Sequence, residues 1–167
     1  MMTILKKVFI SSSNTVCFLC PPLAGIFNYR FRQMEEFPIK LKIICNTDTN
    51  KEMIPPLLIQ TFIENSIKHN IMMIRDLEIT LLIEEAGDFL AIRIKDNGLG
   101  FPAETLDKLS RDEDIEEDGK HIGIVNVKNR LQVLYGDRAR VTIQNDLEGS
   151  HAAICIPRIH KDENTKI

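Results

Sequence analysis

Two alternating apolar runs on either side of a glycine-bearing break limit what this chain can become. Leu77, Ile79, Leu81 and Ile83 recur at every second position, and Leu90, Ile92 and Ile94 repeat the pattern beyond Glu84 to Asp88, whose Gly87 suits a tight turn. Two neighbouring strands joined so closely must run antiparallel, which excludes a doubly wound parallel sheet. Val141 and Ile143, then Ala152, Ile154 and Ile156, predict a second hairpin turned around Glu148-Gly149 and finished by Pro157. Ile39, Leu41, Ile43 and Cys45 alternate with Lys40 and Lys42, as in a half-buried strand. Each strand thus offers one apolar face, and something must cover it.

Helical patterns supply the cover. Pro55 and Pro56 suit a helix start, and Ile59, Phe62, Ile63 and Ile67 recur at helical spacing through about His69. Pro102 to Leu109 predicts a short helix, Arg111 to Gly119 a polar linker. Ile124, Val127, Leu131 and Leu134 mark a further helix that stops at Gly136. The predicted fold class is therefore α/β: a two-layer sandwich with a mixed, mostly antiparallel sheet and helices on one face. Length of 167 residues suits one domain, with no internal repeat. The reading divides the chain into a leader over 1–28, a domain over 29–158 and a charged tail over 159–167.

Charge and cysteine usage narrow the surroundings. A net charge of −3 gives no electrostatic reason to expect nucleic acid. Cys17, Cys20, Cys45 and Cys155 are too scattered for a disulfide framework and fit a reducing cytoplasm, the last two as small buried residues on strands. Val8 to Phe27 carries no charge, but Ser11 to Thr15 is polar and Pro21-Pro22 interrupts its apolar half, so a membrane span is not expected there.

Three segments carry chemistry. Asp96-Asn97-Gly98-Leu99-Gly100 follows a strand; an acidic side chain at a strand end accepts from an exocyclic amine, and glycines let backbone approach a flat ring. Glu64-Asn65-Ser66-Ile67-Lys68-His69 lies on the first long helix, with Glu64, Asn65 and Lys68 on its polar side. Gly119-Lys120-His121-Ile122-Gly123-Ile124-Val125-Asn126 opens a helix whose free N–H groups and dipole favour phosphate. Taken singly, each has a plainer reading: a hairpin turn, a solvated face, an ordinary helix start. There is no G-x-x-x-x-G-K-[ST] loop, dinucleotide fingerprint, metal-ligand cluster or nucleophile elbow.

In order and spacing these segments resemble the N, G1 and G2 boxes of the GHKL superfamily, which includes gyrase, Hsp90, MutL and the histidine kinases. Ile54-Pro55-Pro56-Leu57-Leu58-Ile59-Gln60-Thr61-Phe62-Ile63-Glu64-Asn65-Ser66-Ile67-Lys68-His69 is similar to the IPPLLLQPLVENAIKHG box of the LytS/YesM sensor histidine kinases. Asn126-Val127-Lys128-Asn129-Arg130-Leu131, closed by Tyr135-Gly136, resembles that branch's NVxxRLxxxYG.

The resemblance implies the Bergerat ATP-binding fold over roughly Tyr29 to Pro157, with ATP and Mg²⁺ as cofactors. By it, Asn65 holds Mg²⁺; Lys68 faces phosphate oxygens, with His69 nearby. Asp96 accepts from the adenine amine, and Gly98 and Gly100 border the purine. Lys120 reaches inward from a mobile lid, and backbone at Gly123 and Ile124 meets the phosphates. Glu64, the water-activating base in hydrolysing relatives, helps orient the incoming imidazole in a kinase. The implied activity is γ-phosphoryl transfer to a histidine on a dimerisation and phosphoacceptor segment, with a response regulator downstream. That branch's PHFLFN-like acceptor motif is absent here, so the expectation is the cytoplasmic catalytic domain of a larger, membrane-bound sensor or the product of a truncated gene. Two alternatives stay open: a degenerate nucleotide-binding regulatory module, and a stand-alone anti-sigma-type serine kinase.

Overall fold

The computed structural model describes residues 11–12, 39–47, 54–55, 57–70, 72–111 and 122–158. Within them the chain forms β1 (Ser11–Ser12), β2 (Ile39–Asn46), α1 (Leu58–Asn70), β3 (Leu77–Ala86), β4 (Phe89–Asp96), α2 (Ala103–Ser110), α3 (Ile122–Tyr135), a 3₁₀ turn (Gly136–Arg138), β5 (Arg140–Asn145) and β6 (Ser150–Pro157). The strands make one mixed sheet in the order β1-β2-β3-β4-β6-β5. β2 pairs in parallel with β1 and β3; every other neighbouring pair is antiparallel. The two-residue β1 falls in the stretch assigned to the leader.

Period-two alternation sets the layers. Ile39, Leu41, Ile43, Leu77, Ile79, Leu81, Ile83, Leu90, Ile92, Ile94, Ala152, Ile154 and Ile156 all face inward and are buried, while Lys40, Glu78 and Arg93 face outward and are exposed. Leu58, Ile59, Phe62, Ile63 and Ile67 bury the inner stripe of α1 against this face. Those five side chains contribute on the order of 10 kcal/mol by transfer from water, as an upper estimate. Ile124, Val127 and Leu131 do the same from α3. This is the predicted two-layer sandwich.

Several details differ from expectation. The first hairpin turns within two residues, Gly87 and Asp88, because Ala86 pairs directly with Phe89 and Gly87 adopts a φ of +62°. Leu134, assigned to the apolar stripe of α3, is 53% exposed, because the stripe steps from Leu131 to Tyr135, which packs against the core, and leaves Leu134 outside it. Cys45 and Cys155 are half-buried, not enclosed. The predicted lid over Pro102 to Lys120 is described only as far as Arg111; the rest of it, His121 and the charged tail from 159 lie outside the described residues. No helix among the described residues is long and apolar enough to cross a membrane.

Candidate functional site

The end of β4 carries Asp96 inward. Its alternation with Ile92 and Ile94 puts a carboxylate on the buried side of the sheet, where it is 2% exposed. Oδ2 accepts from Ser66 Oγ at 2.5 Å and Ser150 Oγ at 2.7 Å. Oδ1 accepts from the N–H of Gly98 at 2.9 Å and of Ser150 at 3.3 Å. An ionised carboxylate offers about four lone-pair sites, so this ring of donors from α1, β6 and its own loop fills it. The desolvation of so deep a charge is offset by that ring.

The loop leaving Asp96 is held on both sides by carboxamides. Asn70, buried at the end of α1, accepts the Leu99 N–H at 2.9 Å and donates to Ser66 O at 2.7 Å. Its Cγ lies 2.2 Å from where a Cβ on Gly98 would stand. On the other side Asn145 pairs with the backbone of Phe101, beside Gly100 with its φ of +74°. The glycines assigned to a flat ring therefore also answer to two protein amides. Gly149, with φ +152°, passes so close to the Asp96 carbonyl that a Cβ there would sit 2.1 Å from its oxygen. Asn97 points away, its side chain bridging Glu78 N–H and Asp76 O.

The remaining predicted residues that the structure describes lie on α1 and α3, Lys120 being outside the described residues. Asn65 is half-buried, and its Nδ2 is shielded from solvent with no hydrogen-bond partner among the described residues. That nitrogen is 4.0 Å from where a Cβ on Gly123 would stand, so the first long helix and the start of α3 meet at this point. Glu64 turns along its own helix to accept from Gln60 Nε2 at 3.0 Å. Lys68 is exposed and His69 half-buried. The Ile124 side chain is fully buried in the core, which leaves only its backbone for a ligand. A groove of about 200 Å³ runs between the start of α1 and α3, bordered by Thr61, Gly123, Asn126 and Arg130. A larger cavity of about 610 Å³, between α2, α3 and β5, contains none of the residues around Asp96 or Asn65.

The turn beneath Asp96 is braced by charge. Asp146 Oδ1 accepts from the N–H groups of Glu148 and Gly149, and Oδ2 pairs with Lys95 Nζ at 2.9 Å. The Lys95 ammonium, then the Glu148 N–H, pull the Asp146 carboxyl below its ordinary range; Glu148 and then Asp146 push Lys95 up.

Four residues around the site were missed from sequence: Ser66, Asn70, Asn145 and Ser150. Ser66 and Asn70 continue the inward stripe of α1, three positions after Ile63 and Ile67, and Ser150 extends the inward alternation of Ala152, Ile154 and Ile156. Polar residues in apolar register were the available signal for these three. Asn145 left no such mark.

Comparison with known proteins agrees with this architecture. Residues 52–160 match the family described as histidine kinase-, DNA gyrase B- and HSP90-like ATPase. The chain is 29% identical to the sensor protein LytS of Staphylococcus saprophyticus over 92% of its own length and 26% of that protein's. It is 30% identical to LytS of Streptococcus agalactiae over 77% and 22%, and 31% identical to the sensor histidine kinase YpdA of Escherichia coli over 69% and 20%. The chain thus spans about a quarter or less of the length of these curated relatives. Among solved structures, the catalytic domain of histidine kinase ThkA superposes with a TM-score of 0.62 at 14% identity, covering 84% of this chain and 90% of that one. The mycobacterial sensor histidine kinase MprB gives 0.59 at 12%, covering 86% and 96%. The fold is therefore that of histidine kinase catalytic domains, and the chain belongs to the histidine kinase-, DNA gyrase B- and HSP90-like ATPase family.

Proposed function

We propose that this domain binds Mg·ATP and passes its γ-phosphoryl group to a histidine on a dimerisation and phosphoacceptor segment, with a response regulator as the eventual recipient. The observation that carries the reading is the Asn65 amide: a shielded Nδ2 with no hydrogen-bond partner among the described residues, opposite the side-chain-free Gly123 at the start of α3. Such a group calls for a ligand atom. Its nitrogen faces a phosphate oxygen, or, with the carboxamide turned over, its oxygen faces a cation. Mg²⁺ held by phosphates keeps most of its waters, so one amide oxygen suffices; among the described residues there is no cluster of acidic or imidazole ligands, and none is needed.

Each residue then has a task. Asp96 selects adenine by accepting from its exocyclic amine, where guanine offers a carbonyl. With its lone pairs filled, the amine enters by displacing a donor, and the seryl hydroxyls of Ser66 and Ser150 can rotate away whereas the backbone N–H groups cannot. Gly98 and Gly100 border the ring. Lys68, His69 and the N–H groups around Gly123 and Ile124 face the phosphates. Glu64 orients the incoming imidazole. Catalysis by these groups is positioning and charge stabilisation. The domain works in the cytoplasm, where ATP and a reducing environment for its cysteines coincide.

Calorimetry with ATP and GTP, with and without Mg²⁺, followed by incubation with γ-labelled ATP and a LytS-type acceptor segment, tests this. Preferential Mg·ATP binding and acid-labile label on the segment are expected. Equal affinity for ATP and GTP removes the adenine assignment, and binding without transfer reduces the domain to a nucleotide-responsive module.

A further inference from the structure

We propose that Asn145 is a positioning residue for the nucleotide pocket, acting through the backbone of Phe101. It is exposed at the last position of β5 and belongs to none of the three motifs. Its carboxamide nevertheless makes a complete pair of bonds: the Phe101 N–H donates to Oδ1 at 2.9 Å, and Nδ2 donates to Phe101 O at 2.8 Å. This reproduces the two-bond exchange of neighbouring strands, as if the ladder ran one rung past the pairing of Asn145 with Ser150. Gly100 turns around the amide, whose Cγ lies 2.7 Å from where a Cβ on that residue would stand.

The segment from Asp96 to Phe101 is thus fastened twice. Its near end is fixed through Asp96 and Asn70, its far end through Asn145. Phe101 packs against the core and leads through Pro102, the N-cap residue, into α2. Removing the Asn145 amide takes both of these bonds from the far end, and Gly100, free to rotate, becomes a swivel beside the pocket. The donor ring around Asp96 is untouched by that change. The inference rests on the nucleotide reading and adds to it a residue from the edge strand.

The test uses the full chain with Asn145→Ala and Asn145→Asp. Aspartate keeps an acceptor for the Phe101 N–H but has no donor for its carbonyl. Loss of the pair weakens Mg·ATP binding about three- to ten-fold in Asn145→Ala, with an intermediate value for Asn145→Asp and an unchanged ATP to GTP ratio. Hydrogen exchange at the Phe101 amide accelerates while that at Ile92 in the sheet centre does not. Wild-type affinity in Asn145→Ala, or a loss matched by faster exchange at Ile92, overturns the positioning role alone. A wild-type chain that binds no ATP overturns the nucleotide reading, and this inference with it.

Discussion

The Asn70 carboxamide occupies the space that a side chain on residue 98 would need, its Cγ 2.2 Å from the position of a Cβ on Gly98. Neither partner can yield. Asn70 is buried and bonded to Leu99 on one side and Ser66 on the other, so its amide is fixed in place.

Gly98→Ala should therefore destabilise the domain by about 1 to 3 kcal/mol, the usual cost of forcing atoms into a filled site. Asn70→Ala alone costs a comparable amount, about 1 to 3 kcal/mol, because the Leu99 N–H loses its acceptor. Combined, the two changes should cost at least about 0.5 kcal/mol less than their sum, since alanine at 98 then meets empty space. Urea denaturation of the four proteins measures the cycle, and strict additivity would contradict the contact.

Substitutions around the Asp96 carboxylate should separate acceptor from competitor. Asp96→Asn removes a charge-assisted bond and presents a donor to the adenine amine, so ATP affinity should fall ten-fold or more, an estimate of about 1.5 to 3 kcal/mol. Ser66→Ala acts in the other direction, freeing a lone pair on Oδ2; ATP binding tightens by roughly two- to five-fold even as thermal stability drops. Calorimetry on both variants decides. Weaker ATP binding in Ser66→Ala would mean that its hydroxyl is held for the ligand's benefit, not displaced by it.

Asn65→Ala should affect metal-dependent binding more than adenine recognition. The variant is expected to bind ADP without metal almost as the wild type does, yet to lose most of the gain that Mg²⁺ gives for ATP. Titrations of both nucleotides with and without Mg²⁺ check this, and a uniform loss would identify a purely structural amide.

The β5–β6 turn should loosen in acid. Asp146 has a folded-state pKa below its unfolded value, so the stability it contributes is present above the unfolded value, about 4, and is lost as pH falls through the lower folded one. Exposure of the Lys95–Asp146 pair makes the effect salt-sensitive. Carboxyl titration by NMR should find Asp146 low in the wild type and nearer the ordinary value in Lys95→Gln. An unchanged value in that variant would show that the Glu148 and Gly149 N–H groups alone depress it.

Much of this fold was legible because burial on one side of a sheet writes itself as alternation. The inward residues of β3 and β4 were all readable from period two, and the mixed sheet followed from adjacent hairpins. Leu134 was misread because steps of three and four both fit a helical stripe, and the stripe here runs from Leu131 to Tyr135. At the site, Asp96, Asn65 and Gly123 stood out through their motifs. Ser66, Asn70 and Ser150 did not, although each keeps apolar register, because a single polar residue in a stripe resembles a boundary. Asn145 acts through a pairing across 44 residues with backbone, which no local pattern encodes.

The two carboxamide and glycine pairs constrain how such a sequence can change over time. A side chain at 98 meets an occupied volume unless residue 70 has become smaller, and a smaller residue 70 leaves the Leu99 N–H without its acceptor. Either first step is thus costly, and the second costs less once the first has been taken. Among diverging descendants of this domain, positions 70 and 98 should vary as a linked pair, whereas the φ of +74° at Gly100 holds that position to glycine whatever stands at 145.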